Sequence, residues 1–108
     1  DLVEKYSLQN DNWTTVSTIP NSRRGLAVSE LNGQIFAIGG VGSSSVEIYD
    51  PTTNSWSSGP SLPTEIRFGS AITVGNNIYL VGGSDSSDNS TNKVFVYETT
   101  SIQKSNFR

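Results

Sequence analysis

A chain of 108 residues, 33% hydrophobic and 16% charged, has room for one small domain and holds no apolar run approaching a membrane-spanning length. Seven basic residues against ten acidic, with no lysine cluster, leave no positive stripe to neutralise phosphates, so neither nucleic acid nor membrane lipid is an expected partner. Zero cysteines and zero histidines exclude disulfides, thiolate nucleophiles, imidazole bases and the usual zinc, copper and haem ligand sets, and no cofactor is expected.

The amino terminus, DLVEKY, lacks both a methionine and the layout of a signal peptide, which suits either a mature product or a piece of a longer chain. Leu2 to Ser7 and Trp13 to Val16 read as two short strands. A first complete unit follows. Gly25 to Leu31 and Gln34 to Ile38 are joined by Asn32-Gly33, the strongest short hairpin signal, because both central residues of a tight hairpin turn need positive φ. The adjacent glycines Gly39-Gly40 end the second strand. Val46 to Asp50 forms the third, Pro51 and a Thr-Thr-Asn-Ser turn close it, and Ser55 to Ser58, carrying Trp56, is the fourth. No stretch of ten or more residues has a helical period with caps.

The same text then returns. Trp13 and Trp56, Tyr6 and Tyr49, Pro20 and Pro63, Arg24 and Arg67, and Gly39 and Gly82 each lie 43 positions apart, and IFAIGG recurs as IYLVGG. A third partial copy, VFVY, ends at Tyr97, five residues late because five extra residues sit within SDSSDNSTNK after Gly82-Gly83. Insertions are tolerated in surface loops. In this last copy Lys104 stands where a tryptophan is expected, so either a longer turn brings Phe107 into that role or the final strand is incomplete. A repeat of this length with four strands, a to d, means a propeller blade. The expected fold is all-β, a partial propeller of about two and a half four-stranded antiparallel blades: residues 1–20 a partial blade of strands c and d, residues 21–63 a complete blade, and residues 64–108 a second with a degenerate or incomplete last strand.

The double glycine after the second strand, the tyrosine seven before the tryptophan, and the arginine opening the first strand resemble the kelch repeat, over nearly the whole chain. The pattern RGLAV to AIGG with VEIYDPTTNSW looks closest to the propeller part of BTB-kelch adaptor proteins, although neither a BTB region nor the linking helical region is present. The resemblance implies a protein-interaction module, a substrate-recognition part of a ubiquitin ligase adaptor or a scaffold, and favours a cytoplasmic setting. Kelch-type enzymes and a purely architectural repeat are the competing readings. The missing His and Cys speak against metal-dependent oxidases, and no paired carboxylates suggest a sugar mutarotase.

Gly39, Gly40, Gly82 and Gly83 are expected where the backbone is crowded or takes unusual φ, and Tyr6, Trp13, Tyr49, Trp56 and Tyr97 as packing between blades. Glu47 is expected to pair with an arginine from the start of a strand a or with a loop amide, since a carboxylate near a stacked face must be compensated. In the functional alternative, implied by kelch adaptors, Arg23, Arg24 and Arg67 line the mouth of the central pocket and hold acidic peptides through bidentate contacts. Position alone adds Ser43, Ser44, Asp85 and Asp88, from the loops Val41 to Ser45 and Ser84 to Asn92, as candidate partner-binding residues beside the entries Ser22 to Arg24 and Glu65 to Arg67. Asp85 and Asp88 lack the ladder of ligands and closing glutamate of a calcium loop. The triplets Asn12-Trp13-Thr14 and Asn89-Ser90-Thr91 match the N-glycosylation pattern, relevant only in a secreted protein. Closed propellers use about four to eight blades, so further blades are expected from a longer chain or from other subunits.

Overall fold

The computed structural model describes residues 2–98 and the backbone of residues 106–107. Ten strands run in chain order: β1 (Leu2–Ser7), β2 (Asn12–Thr18), β3 (Ala27–Leu31), β4 (Gln34–Ile38), β5 (Val46–Asp50), β6 (Ser55–Ser58), β7 (Ser70–Val74), β8 (Asn77–Val81), β9 (Val94–Glu98) and β10 (Asn106–Phe107). They form a two-stranded sheet β1-β2 and two four-stranded sheets, β3-β4-β5-β6 and β7-β8-β9-β10, all with antiparallel neighbours in sequence order. Strands b, c and d of the first complete unit match the sequence reading, and strand a begins at Ala27 rather than Gly25 because Gly25 has left-handed φ, +67°. No helix among the described residues is long and apolar enough to cross a membrane.

The two large sheets bury their facing sides against each other. Leu31, Phe36, Ile38 and Val46 from one, and Ile78, Leu80, Phe95 and Tyr97 from the other, form the core with Leu62 and Ile66 of the connecting loop. Phe36 and Tyr97 stack tilted across the interface, ring centroids 5.2 Å apart. Complete burial of side chains such as Ile78 and Leu80 contributes about 2 kcal/mol each. Edge strands β3 and β7 lie side by side, linked by Ser29 Oγ to Thr73 Oγ1 at 2.6 Å, and among the described residues the closest backbone approach between the two large sheets is at β3. The sheets therefore converge at strand a and fan outward, as propeller blades do.

Tyrosine and tryptophan are paired by register. Tyr49 faces Trp56 and Tyr6 faces Trp13, with ring centroids 5.2 and 5.3 Å apart. The turn between them is closed by the tyrosine hydroxyl: Tyr49 donates to Asn54 Oδ1 at 2.6 Å, and Tyr6 donates to the repeat-equivalent Asp11. Asn54 and Asp11 both have φ of 51°, a conformation that Asx side chains tolerate. In the same turn Asp50 Oδ1 accepts from both the hydroxyl and the amide of Thr52, which holds the Asp50 carboxyl below the usual carboxylate range. Trp56 reaches the preceding sheet, Nε1 donating to Ser17 Oγ at 3.0 Å. Trp13, its repeat equivalent on β2, is 66% exposed. In the last unit the β9-β10 register sets Phe107 opposite Tyr97, the backbone position that the tryptophans hold in the other two. Lys104 lies outside the described residues.

The double glycines receive the loop between blades. Gly39 and Gly40 have φ of 65° and 112°, and Gly40 N donates to Ile66 O at 2.9 Å. A Cβ on Gly39 would stand 2.5 Å from Ile66 O, and one on Gly40 would stand 2.8 Å from Arg24 O. Gly83 repeats the second contact, against Arg67 O at 2.6 Å. Gly33 in the hairpin turn also has positive φ, 81°, but open space around it. Gly33→Ala should thus cost about 1 kcal/mol of backbone strain, and Gly39→Ala about 3 kcal/mol because a carbonyl and its loop must also move. Denaturant unfolding of the assembled protein measures both; equal losses would contradict the close-approach account.

Candidate functional site

Antiparallel alternation sends the b-c and d-a connections to one end of every sheet, and at that end the loops are bonded to each other. Val41 N donates to Arg24 O (2.9 Å), Phe68 N to Gly25 O (2.8 Å) and Leu62 N to Ser44 O (2.8 Å), while Arg67 and Ser84 exchange backbone bonds in both directions. Glu65 Oε2 accepts from Gly42 N at 2.9 Å, tying one blade's b-c loop to the next d-a loop. The b-c insertion is folded on itself: Asp85 Oδ1 accepts from the amides of Ser87 and Asn89, and Ser84 bridges to Ser90.

The three arginines proposed from sequence have different environments. Arg23 is inside the protein, its side chain 3% exposed. It donates to Ser45 Oγ (2.9 Å), Ser43 Oγ (3.3 Å) and Ala37 O (3.0 Å), and stands 3.3 Å from Glu47 Oε1. Glu47 also accepts from Asn21 Nδ2 at 3.4 Å, so it has both partners weighed for it, an arginine preceding strand a and a loop amide. The pair is buried but imperfect, since Arg23 Nε and Glu47 Oε1 have no hydrogen-bond partner. Such a pair adds little net stability, yet removing one member strands a buried charge. Ser43 is absorbed into this network, and Ser44 is half-buried with its carbonyl used by Leu62.

Arg67 is 15% exposed and is held by Glu65 (3.4 Å), Asp88 (3.6 Å) and the carbonyl of Asp85 (3.2 Å). The Asp88 carboxylate is 83% exposed, so that bond is weak in water. Arg24 is exposed, and no hydrogen bond or ion pair among the described residues engages its side chain. Among the described residues no group of three or more His, Cys, Asp or Glu could hold a metal ion. The structure therefore gathers Arg24, Arg67, Asp85 and Asp88 at one loop end and turns Arg23 inward. It also brings Phe68, 62% exposed, to the same end, a residue not singled out from the sequence.

The charge pair has an apolar counterpart. Offsets of 43 for the d-a loop and 48 for strand c put Ile66 at the position of Arg23 and Phe95 at that of Glu47, and both are buried core residues. Arg23→Ile alone should therefore lose about 3 kcal/mol by stranding Glu47. Arg23→Ile with Glu47→Phe, which installs the sister blade's solution, should lose less than the sum of the two single changes. A double-mutant cycle by denaturant unfolding checks this, and strict additivity would mean that the two charges do not depend on each other.

The sequence matches the family model described as Kelch motif twice, over residues 22–63 and 67–101. It is 32% identical to beta-scruin of Limulus polyphemus over 111 aligned positions, covering 93% of this chain and 12% of that protein. It is 31% identical to Kelch-like protein terF of Aspergillus terreus, covering 77% of the chain and 20% of that protein, and 33% identical to human Kelch repeat and BTB domain-containing protein 12, covering 77% and 15%. The chain thus spans no more than a fifth of the length of these relatives. A solved structure, YjhT, superimposes with a TM-score of 0.75 over 90% of this chain and 34% of its own, at 12% identity, a likeness of fold. With two family matches, the double-glycine contacts and the fanned antiparallel sheets in agreement, the chain belongs to the kelch-repeat family and forms part of a β-propeller.

Proposed function

We propose that this chain is a protein-interaction segment of a kelch propeller, presenting its b-c and d-a loops to a protein partner as the substrate-recognition or scaffold part of a larger protein, with no enzymatic activity of its own. The observation that carries the reading is the bonding of these loops to one another. Gly40 to Ile66, Val41 to Arg24, Phe68 to Gly25 and Arg67 to Ser84 make one end of the sheets a continuous backbone platform. Loops positioned by a rigid scaffold are where binding residues concentrate, because little ordering remains to be done when the partner arrives. The opposite end carries tight turns closed by their own side chains, as at Tyr49 and Asn54. An adaptor role in a ubiquitin ligase draws its support from the BTB domain named in one relative, and a scaffold role is the other form of the same reading. Blades divided at residues 20/21 and 63/64 agree with this, each division falling in the loop that feeds a strand a.

A photo-crosslinking residue, p-benzoylphenylalanine, placed at exposed positions of either end tests the proposal in cells. Substitution at Ser61 or Asn89 should yield a discrete protein adduct, and substitution at Leu8 or Thr53, in the opposite turns, should not. Adducts from the turn end alone, or equally from both ends, would refute it.

A further inference from the structure

Among the described residues β1 is paired on one side only, by β2, whereas its repeat equivalents β5 and β9 each lie between two strands. In repeat phase β1 and β2 are strands c and d, so the open edge of β1 is the edge on which β5 receives β4 and β9 receives β8. Beside that edge the next sheet is thinly covered. A cavity of about 400 Å³ separates β1-β2 from β3-β6, lined in part by Val3, Leu26, Val28, Ile35 and Ala37, and Val28 is 53% exposed. One blade further on, Ile78 and Leu80 take the places of Ile35 and Ala37, and the β3-β4 hairpin seals them into the core.

Backbone and charge identify what fits there. Gly40 N donates to Ile66 O where the d-a loop crosses the glycine pair, while among the described residues no backbone amide donates to the carbonyl of Arg23, the repeat equivalent of Ile66. That carbonyl suits a second glycine pair. Glu4 is the repeat equivalent of Glu47, and no hydrogen bond or ion pair among the described residues engages its side chain. Glu47, by contrast, is 7% exposed and stands 3.3 Å from Arg23, which precedes strand a of its own blade. The sister blade has Ile66 and Phe95 at these two places, so the residue before strand a and the residue on strand c are matched in kind. An acid on strand c goes with an arginine, and an aromatic with an aliphatic.

We infer that the open edge of β1 is the docking site of a β-hairpin that supplies strands a and b, ends in a glycine pair, and carries an arginine ahead of its first strand to pair with Glu4. Strand pairing along β1 supplies affinity, because an unpaired edge is a template for another strand. The apolar side of the hairpin covers Val28 and Ile35. Glu4 selects among hairpins, since an arginine compensates the carboxylate as the site closes over it and an isoleucine would bury it alone. This site is separate from the loop end and does not rest on the reading above.

Fluorescein-labelled peptides copying residues 21–40 and 64–83, the chain's own a-b hairpins with their glycine pairs, are titrated against the 108-residue chain. The first, which carries Arg23, should bind about tenfold or more tighter than the second, which has Ile66 at that place. Within the first peptide Arg23→Ile should remove the margin and Arg24→Ala should keep it, which separates pairing at one position from general attraction to a chain of net charge −3. In the chain, Glu4→Gln should erase the preference and Glu4→Phe should reverse it. A fusion that places residues 21–43 directly ahead of residue 1, in repeat phase, supplies a readout free of peptide binding. Its melting temperature should exceed that of the chain, fall with Glu4→Gln, and recover when Glu4→Phe is combined with Arg23→Ile in the added segment. A fusion stabilised in this Glu4-dependent way upholds the site even if neither peptide binds. Equal binding of the two peptides, a preference that survives Glu4→Gln, or a fusion no more stable than the chain and indifferent to Glu4 would each overturn it.

Discussion

Backbone meeting backbone at the double glycines is the contact on which the rest of this structure depends. Where strand b ends, the next d-a loop crosses so closely that a methyl group on Gly39 would overlap the carbonyl of Ile66. That approach lets Gly40 N bond Ile66 O and brings Ile66 and Leu62 into the core between sheets. It also fixes the loop platform, because the same crossing places Glu65 over Gly42 and Arg67 beside Ser84. Stacking, core and candidate binding surface all follow from two residues without side chains.

A second theme is that one repeat position is solved by different chemistry in successive blades. The pair Arg23 and Glu47 becomes Ile66 and Phe95, and Gly25 becomes Phe68. The first exchange keeps both sites buried and trades a charge pair with unmet hydrogen bonds for apolar packing, which burial favours. The second moves the other way, since it puts an aromatic where the backbone asks for glycine and leaves it in water. Departures from the repeat therefore differ in kind: one keeps a buried position buried, the other leaves an aromatic exposed at a strained point of the backbone.

The fold was legible because its signals are local and repeated. The 43-residue offset, the Asn32-Gly33 turn and the spacing of Tyr49 and Trp56 report register directly, and the strands begin and end close to where these place them. Less of the site could be read. Matching identical residues drew attention to Arg24 and Arg67, but the buried guanidinium belongs to Arg23, whose repeat partner is an isoleucine. A search for sameness passes over compensated differences, and Phe68 was missed for that reason, although an aromatic aligned with a glycine was visible in the text. The turn-closing roles of Asp11 and Asn54 were hidden because aspartate and asparagine are different letters with the same local geometry.

Both outer faces of the structure bear on how it is completed. Trp13 lies uncovered before the first sheet, while Ile72, Val74, Val81 and Val94 remain about half exposed on the last. Stability in repeat arrays comes largely from interfaces between neighbours, and exposed apolar faces suit that use. The central claim is that each blade is held by its neighbours, so that the 108 residues by themselves are not a finished unit. Light scattering on the isolated chain, with far-ultraviolet circular dichroism on the same sample, tests this most directly. The account predicts either a discrete folded multimer or a weakly structured chain. A monomer with full β signal and a cooperative thermal transition would contradict it.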